Sequence, residues 1–132
     1  MKKTTLLLLA LAITSALAHN VTVNIENIAN TKGKLQLKIE SYNGAKLKKL
    51  KGVTLMPNKQ GVTHTFANIE NGKYAISVYH DENSNKKLDK NFIGIPKEDY
   101  GFSNNPSSSL GAPKMEEKVF EVSGDVSLNV TL

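Results

Sequence analysis

Four side chains that end in oxygen recur at close spacing within Tyr79-His-Asp-Glu-Asn-Ser-Asn-Lys-Lys-Leu-Asp89. They take the first, third, fifth and ninth positions of a predicted loop and are Asp81, Asn83, Asn85 and Asp89. A tight turn with this spacing points the side chains at one centre, and calcium takes about six to eight oxygen ligands. The loop therefore predicts a calcium site, to which Lys87 adds its backbone carbonyl and Asp89 binds directly or through water.

The loop is not an EF-hand. An EF-hand loop has Gly at its sixth position and Glu at its twelfth, whereas this chain has Lys86 and Phe92 there. The flanking sequence predicts a strand before the loop and no helix after it. Glu82, Glu98 or Asp99 would complete the coordination if the chain folds back. The alternative is a metal-free turn in which the same side chains cap their own backbone amides, and the sequence leaves both open.

The histidines indicate chemistry less strongly. His80 and Asp81 are neighbours on a predicted strand, so their side chains point to opposite faces and cannot form a catalytic pair. His80 shares its face with the alternate residues from Tyr74 to Val78, which favours a half-buried histidine at the strand end. A zinc or copper site would require the fold to gather it with the other two histidines.

Residues 92–105 form a second unusual segment, in which large apolar side chains alternate with glycine and proline. The apolar members are Phe92, Ile93, Ile95, Tyr100 and Phe102. So many apolar groups favour a segment that packs across the protein as a lid over one end of its core. The alternative is a binding surface, and its candidate residues are His80, Glu98, Tyr100, Phe102 and Asn104.

Motifs of established enzyme classes are missing from the sequence. The serines between Ser103 and Ser109 lie in no Gly-x-Ser-x-Gly or Ser-x-x-Lys motif. A binding or structural role is therefore favoured, and we predict no catalytic residues. Two alternatives stay open. One is a small hydrolase-like enzyme with a site near His80, Glu98 and Tyr100, and the other is a small-ligand carrier with an apolar cavity.

The elements that position these residues are predicted strands, because apolar and polar residues alternate with a period of two in many short segments. Three turns are predicted to close hairpins or join strands, at Thr31–Gly33, Asn71–Gly72 and Ser123–Asp125. Seven or eight short strands with frequent turns predict an all-β fold. The expected architecture is an immunoglobulin-like or transthyretin-like antiparallel β-sandwich, interrupted by a long loop region over residues 81–116.

The N-terminus predicts a cleaved signal peptide over residues 1–18. Two lysines precede an apolar run over residues 4–14, and Ala16-Leu-Ala18 provides a small-x-small cleavage site. The run is too short for a transmembrane anchor, which needs about 20 residues. One domain, residues 19–132, is then exported, and we expect a periplasmic location rather than full secretion.

Composition excludes several function classes. The chain has no cysteine, so disulfides and thiolate metal sites are impossible. Loss of Lys2 and Lys3 with the signal lowers the net charge from +5 to +3, and the chain contains no arginine. Nucleic acid is therefore not an expected partner, because arginine dominates specific base recognition. The expected partner is an unidentified protein or small molecule in the cell envelope.

Two motifs resemble a known family. They are Asn71-Gly-Lys-Tyr-Ala-Ile-Ser-Val-Tyr-His-Asp-Glu-Asn-Ser-Asn-Lys-Lys-Leu-Asp89 and Ile93-Gly-Ile-Pro-Lys-Glu-Asp-Tyr-Gly-Phe-Ser-Asn-Asn105. The chain is similar through them to the bacterial domain of unknown function 2141 family, whose members typically carry Gly where this chain has Lys86. The resemblance implies an exported β-sandwich protein of a bacterium with a cell envelope, and it implies no activity.

Overall fold

The computed structural model describes residues 17–107 and 111–132, and within them the chain forms eight strands and one short helix. The strands are β1 (Ala18–Glu26), β2 (Lys34–Tyr42), β3 (Leu47–Leu55), β4 (Val62–Glu70), β5 (Gly72–Asp81), β6 (Tyr100–Phe102), β7 (Val119–Val122) and β8 (Val126–Thr131). The helix, α1, covers Met115–Lys118. The all-β prediction is confirmed, and so is the number of strands.

The strands form two sheets. One has three strands in the order β4-β1-β8, and the other has five, in which β3, β2 and β5 follow one another. Both β6 and β7 pair with the remaining edge of β5, β6 with Ser77–Tyr79 and β7 with Gly72–Ala75. That edge of β5 is therefore shared by two short strands placed end to end.

The core lies between the two sheets, because alternate residues of each strand point at the opposite sheet. The three-stranded sheet contributes Val21, Val23, Ile25, Phe66, Ile69 and Val130. The five-stranded sheet contributes Leu35, Leu37, Ile39, Tyr74, Ile76, Val78 and Val122. These buried side chains fill the space between the sheets, so the polar alternate residues of β2 and β5 face outward.

The predicted pairing of consecutive strands was wrong. The turns at Thr31–Gly33 and Asn71–Gly72 carry the chain from one sheet to the other instead of closing hairpins. The turn at Ser123–Asp125 also joins strands of different sheets. The physical reason is that the apolar faces of the joined strands cover the same core from opposite sides. β1 and β8 also run parallel, so the prediction of an entirely antiparallel fold was wrong for this pair. Among the described strands, consecutive neighbours pair at β2 and β3 and, across the long connection, at β5 and β6.

The region 81–116 contains more regular structure than the sequence predicted. β6 lies inside it, and α1 begins at its end. Gly101 of β6 comes so close to β8 that an added Cβ would lie 2.6 Å from the carbonyl oxygen of Thr131. Asn105 accepts the N–H of Thr131 and donates to the carbonyl of Asn129, at 2.9 and 3.0 Å. The region therefore ties the two sheets together along one edge.

The predicted signal peptide lies mostly outside the described residues, since residues 1–16 are not described. The first strand begins at Ala18, the last residue of the predicted signal, and Ala18 pairs with Glu70. Within the described part of the chain, no helix is long and apolar enough to cross a membrane.

Candidate metal centre

The predicted calcium loop begins where β5 ends, at Asp81. Its first turn is closed by a bond of 3.2 Å from the N–H of Ser84 to the carbonyl of Asp81. Ser84 and Lys86 both adopt left-handed backbone conformations, with φ of 55° and 61°. Such a conformation costs a residue with a side chain roughly 1 kcal/mol or more. The loop thus keeps a glycine-type turn at Lys86, the position where the resemblance predicts Gly.

Asp81 is the buried centre of the loop, with no exposed surface. Its Oδ1 accepts the N–H of Asn85 at 3.1 Å, and its Oδ2 accepts the N–H of Lys86 at 2.8 Å. The side-chain amide of Gln36, on β2, donates to the same Oδ2 at 3.3 Å. All three donors are neutral, so no cation of the described residues compensates this buried carboxylate in an ion pair.

The other three predicted side chains converge on one another. The amide nitrogens of Asn83 and Asn85 donate to Oδ2 and Oδ1 of Asp89, at 2.6 and 2.8 Å. These bonds favour the charged carboxylate and lower the pKa of Asp89, with Asn85 contributing most. Lys87 donates its N–H to Oδ1 of Asn85 at 2.9 Å. The structure therefore brings the side chains of Asn83 and Asn85 together at Asp89.

Glu98 returns to the loop, as the sequence suggested for a chain that folds back. Its Oε2 accepts the N–H of Asp89 at 3.2 Å, and the residue is only 8% exposed. Burial raises the pKa of Glu98, and the charges of Asp89 and Asp81 raise it further. The other two candidates contribute differently, since Glu82 binds the Asn30 amide and Asp99 accepts the N–H of His80 through its carbonyl.

Tyr79, on the outer face of β5, is also affected by the negative charges of the loop. Burial raises the pKa of its hydroxyl, and the charges of Asp81, Glu98 and Asp89 raise it further. Three carboxyl groups therefore act on one side chain. A cation bound among them would weaken that negative field.

The fit to calcium depends on neutral oxygens as well as carboxylates. Within residues 17–107 and 111–132, no three acidic or histidine side chains are close enough to hold a metal ion by themselves. Asn83 and Asn85 turn their nitrogens towards Asp89, while their oxygens accept backbone N–H groups at 3.3 and 2.9 Å. A rotation of each amide by half a turn would present both oxygens to an ion beside Asp89. These Asx turns are also the metal-free arrangement that the sequence left open.

His80 lies on the inner face, completely buried rather than half-buried as predicted. Its Nε2 is 2.6 Å from the carbonyl oxygen of Lys32, and its Nδ1 has no hydrogen-bond partner. Tyr100 pairs with Tyr79 on the outer face of the same sheet. His80 and Tyr100 therefore lie on opposite faces and do not share a pocket. The other histidines have separate partners, Asn71 for His19 and the Phe66 ring for His64.

The remaining candidates for a binding surface divide into two kinds. Tyr100 and Phe102 lie on the outer face with their ring centres 5.6 Å apart, and the Lys118 ammonium lies 4.4 Å from the Phe102 ring centre. The Asn104 amide donates to two backbone carbonyls near β7, those of Glu117 and Val119. Asn104 is therefore engaged in holding the fold, and the two aromatic rings stay accessible.

Sequence reasoning missed a surface groove beside the loop, because the groove depends on strand register. It has a volume of about 540 Å³ and lies on the outer face of the five-stranded sheet, where the Lys49 side chain lies over Gly52 of β3. Its polar lining comes from Gln36, Lys38, Lys49, Thr54, Ser77, Tyr79 and Lys86. Gln36 connects the groove to the loop, since it binds Thr54 at 2.8 Å as well as Asp81.

The lid predicted for residues 92–105 was wrong in its first part. Phe92 is completely exposed, and Ile93 and Ile95 are 65% and 55% exposed. Only the second part packs, since Gly101 and Ser103 are buried. The apolar side chains of the first part project from a small hairpin that begins directly after Asp89.

Fold and site together define an all-β protein of two sheets with an oxygen-rich loop between β5 and β6. The chain belongs to the family described as Uncharacterized protein conserved in bacteria (DUF2141), which it matches over residues 23–129. The match runs from within β1 to within β8, so it covers both sheets and the loop, and it confirms the resemblance. No curated protein and no solved structure matches the chain.

Proposed function

We propose that this protein is an exported bacterial envelope module that acts by binding or as a structural element, and that calcium orders its loop. The proposed ligands are Asp81, Asn83, Asn85, Asp89 and the carbonyl of Lys87. The carrying observation is the convergence of Asn83 and Asn85 on Asp89 at 2.6 and 2.8 Å. The N-terminal sequence supports export and a periplasmic location, and the two-sheet core supports an immunoglobulin-like or transthyretin-like sandwich.

Electrostatics supports a cation at this place. Asp81 is buried with neutral donors only, and burial together with two neighbouring carboxylates raises the pKa of Glu98. A divalent ion would compensate these charges, as calcium does in oxygen-rich protein sites. The two amide rotations would give up two Asx bonds and the two amide bonds to Asp89, each worth about 1 kcal/mol. The expected affinity is therefore weak, about 10⁻⁴–10⁻³ M, as in extracellular modules.

Thermal unfolding in EDTA and in millimolar calcium tests the site. Calcium at a concentration ten times its dissociation constant would stabilise the folded protein by roughly 1.4 kcal/mol. We expect the melting temperature of the wild type to rise with calcium and that of Asp89→Asn to stay constant. Asp125→Asn, which changes an exposed carboxylate far along the chain, should respond like the wild type.

A gain-of-affinity variant makes the test independent of damage to the fold. Asn83 and Asn85 are exposed, and aspartate at either position would offer a carboxylate oxygen without an amide rotation. Asn85→Asp should therefore bind calcium more tightly than the wild type, because ligand charge raises affinity. Equal melting curves with and without calcium for both proteins would reject the calcium site.

The groove supports a second candidate, a carrier of a small anionic ligand. The carrier considered from the sequence would hold an unspecified small ligand in an apolar cavity between the sheets, but those sheets enclose a filled core. The groove instead is lined by Lys49, Lys86 and Tyr79, while Lys38, which also lines it, forms an ion pair with Glu40 at 3.2 Å. Titration with di- and tricarboxylates should change the melting temperature of the wild type and not of Lys49→Gln. No response to any of these anions would reject the carrier.

Geometry gives less support to the enzyme alternative. It required His80, Glu98 and Tyr100 to meet in one pocket. His80 faces the core and binds the Lys32 carbonyl, whereas Tyr100 lies on the outer face. A binding role therefore fits these residues better than a hydrolase site does.

A further inference from the structure

The hairpin after the calcium loop ends in an apolar tip, which consists of Phe92, Ile93 and Ile95. The exposed fractions of these side chains are 100%, 65% and 55%. A single exposed apolar side chain is ordinary, but a contiguous exposed group marks a surface that binds something. Gly94 lies between them, and a Cβ added to it would meet nothing within 4 Å. Nothing in the described chain covers the apolar tip.

Hydrogen bonds hold the apolar tip in one shape. Oδ1 of Asn91 accepts the N–H groups of Ile93 and Ile95 at 3.0 and 2.9 Å. The N–H of Asn91 binds the carbonyl of Ile95 at 2.8 Å, and Gly94 adopts a φ of +84° that glycine tolerates. The three apolar side chains therefore cannot turn inward without breaking the turn that presents them.

The base of the hairpin fixes the tip to the rest of the molecule. A bridge joins Lys90 and Pro96, and the N–H of Lys97 binds the carbonyl of Asp89 at 2.7 Å. Glu98 adds its bond to the Asp89 N–H. The tip is therefore a rigid projection of the fold.

Lysines precede and follow the tip in the sequence. We call Lys86, Lys87, Lys90 and Lys97 the lysine collar, and none of them forms an ion pair with a described residue. All four lysines are exposed, whereas Asp99 is the one acidic residue of positions 81–99 that is exposed to the same degree. Asp81 and Glu98 are buried, and Glu82 and Asp89 are half-buried. An apolar tip within a basic collar is the combination that binds an anionic membrane interface.

A convex shape favours a lipid surface over a protein partner. Three apolar side chains on a projection need a shaped pocket to be buried by a protein, whereas a fluid lipid interface closes around them without one. The collar adds a matching charge, because lysine stems reach along the apolar region while their ammonium groups remain at the headgroups. Lipid chemistry therefore satisfies both parts of the surface at once.

We propose that the 89–98 hairpin docks this protein on an anionic lipid bilayer, with the apolar tip inserted in the interface and the lysine collar on the headgroups. The proposal goes beyond calcium binding and does not require it, because the bonds that shape the tip are formed within the chain.

A tryptophan at the tip provides the test, since the chain contains none. The protein is used as a bacterial host produces it, and mass spectrometry gives its N-terminus. Vesicles of phosphatidylglycerol and phosphatidylcholine should shift the emission of Phe92→Trp to the blue. Met56→Trp, which also changes an exposed apolar residue, should show no shift. Each measurement is made in EDTA and in calcium, so that failure of the calcium site is recognised separately.

Co-sedimentation with the same vesicles measures the contributions of the two parts. Replacing the apolar tip by three serines should weaken binding at least about tenfold, because each buried apolar side chain contributes to partition. Lys90→Gln and Lys97→Gln should each weaken it roughly fivefold, and vesicles of phosphatidylcholine alone should bind poorly. No blue shift of Phe92→Trp at millimolar lipid would overturn the proposal. Capture of a protein by the tip without any vesicle response would overturn it as well.

Discussion

Replacement of Ser103 by alanine tests how the region after the loop is held to the sheet. Ser103 is completely buried at the break between β6 and β7. Its Oγ accepts the N–H of Ile76 at 2.9 Å and donates to the carbonyl of Lys118. Alanine would leave both backbone groups without their partner. A buried group without a partner costs about 1–3 kcal/mol, so the expected loss is about 2–4 kcal/mol, with Ile76 contributing more because Lys118 is half-buried.

Urea unfolding followed by circular dichroism in EDTA measures this loss. We expect a lower midpoint with an unchanged dependence on urea, since the extent of unfolding stays the same. Ser107→Ala is the matched control, because Ser107 is exposed and should change stability by less than about 0.5 kcal/mol. A loss for Ser103→Ala as small as that of the control would refute the assignment of Ser103 as the link between β5 and the end of α1.

Two further predictions concern close packing and buried charge. Gly101→Ala should destabilise the fold by about 1–3 kcal/mol in urea unfolding, because its Cβ would lie 2.6 Å from the carbonyl oxygen of Thr131. Gly124→Ala is its control, with open space around the added carbon, and equal effects would contradict the reasoning. The folded state binds the proton of Glu98 more tightly than the unfolded chain does, because burial raises its pKa from 4.5. Its contribution to stability is therefore present below pH 4.5 and is lost as the pH rises through the raised pKa. Measured in EDTA, Glu98→Gln should gain stability over the wild type across that interval, whereas a constant difference, as expected for the exposed Asp99→Asn, would contradict it.

The sequence predicted the strands well because alternation directly reflects burial. Val21, Val23 and Ile25 alternate with polar residues, and each of these apolar residues is buried. The same alternation places Ile76 and His80 on the inner face of β5. Burial is a property of single strands, so it can be predicted from neighbouring residues alone.

Pairing could not be predicted in the same way. The Asn71-Gly72 turn is the strongest local signal for a hairpin, yet β4 and β5 belong to different sheets. Whether a turn closes a hairpin or crosses between sheets depends on which face of each strand meets the core, and that depends on residues far away in sequence. The parallel pairing of β1 with β8 has the same origin.

The site shows a similar division between local and distant information. Asp81 and Asp89 were predicted from spacing within one loop. Asn85 donates to both of them, through its backbone N–H to Asp81 and through its side-chain amide to Asp89. Gln36 was missed, because its bond to Asp81 depends on the register between β2 and β5. Phe92 was predicted to pack on the core, and the bonds of Asn91 hold its turn outward instead.

Calorimetric titration of the EDTA-treated protein with calcium tests the central proposal most directly. We predict one ion per chain with a dissociation constant of about 10⁻⁴–10⁻³ M, tighter binding by Asn85→Asp and no binding by Asp89→Asn. The absence of any calcium-dependent heat in both the wild type and Asn85→Asp, with both proteins folded, would contradict it. The loop would then be a metal-free turn held by the bonds between its own side chains and backbone.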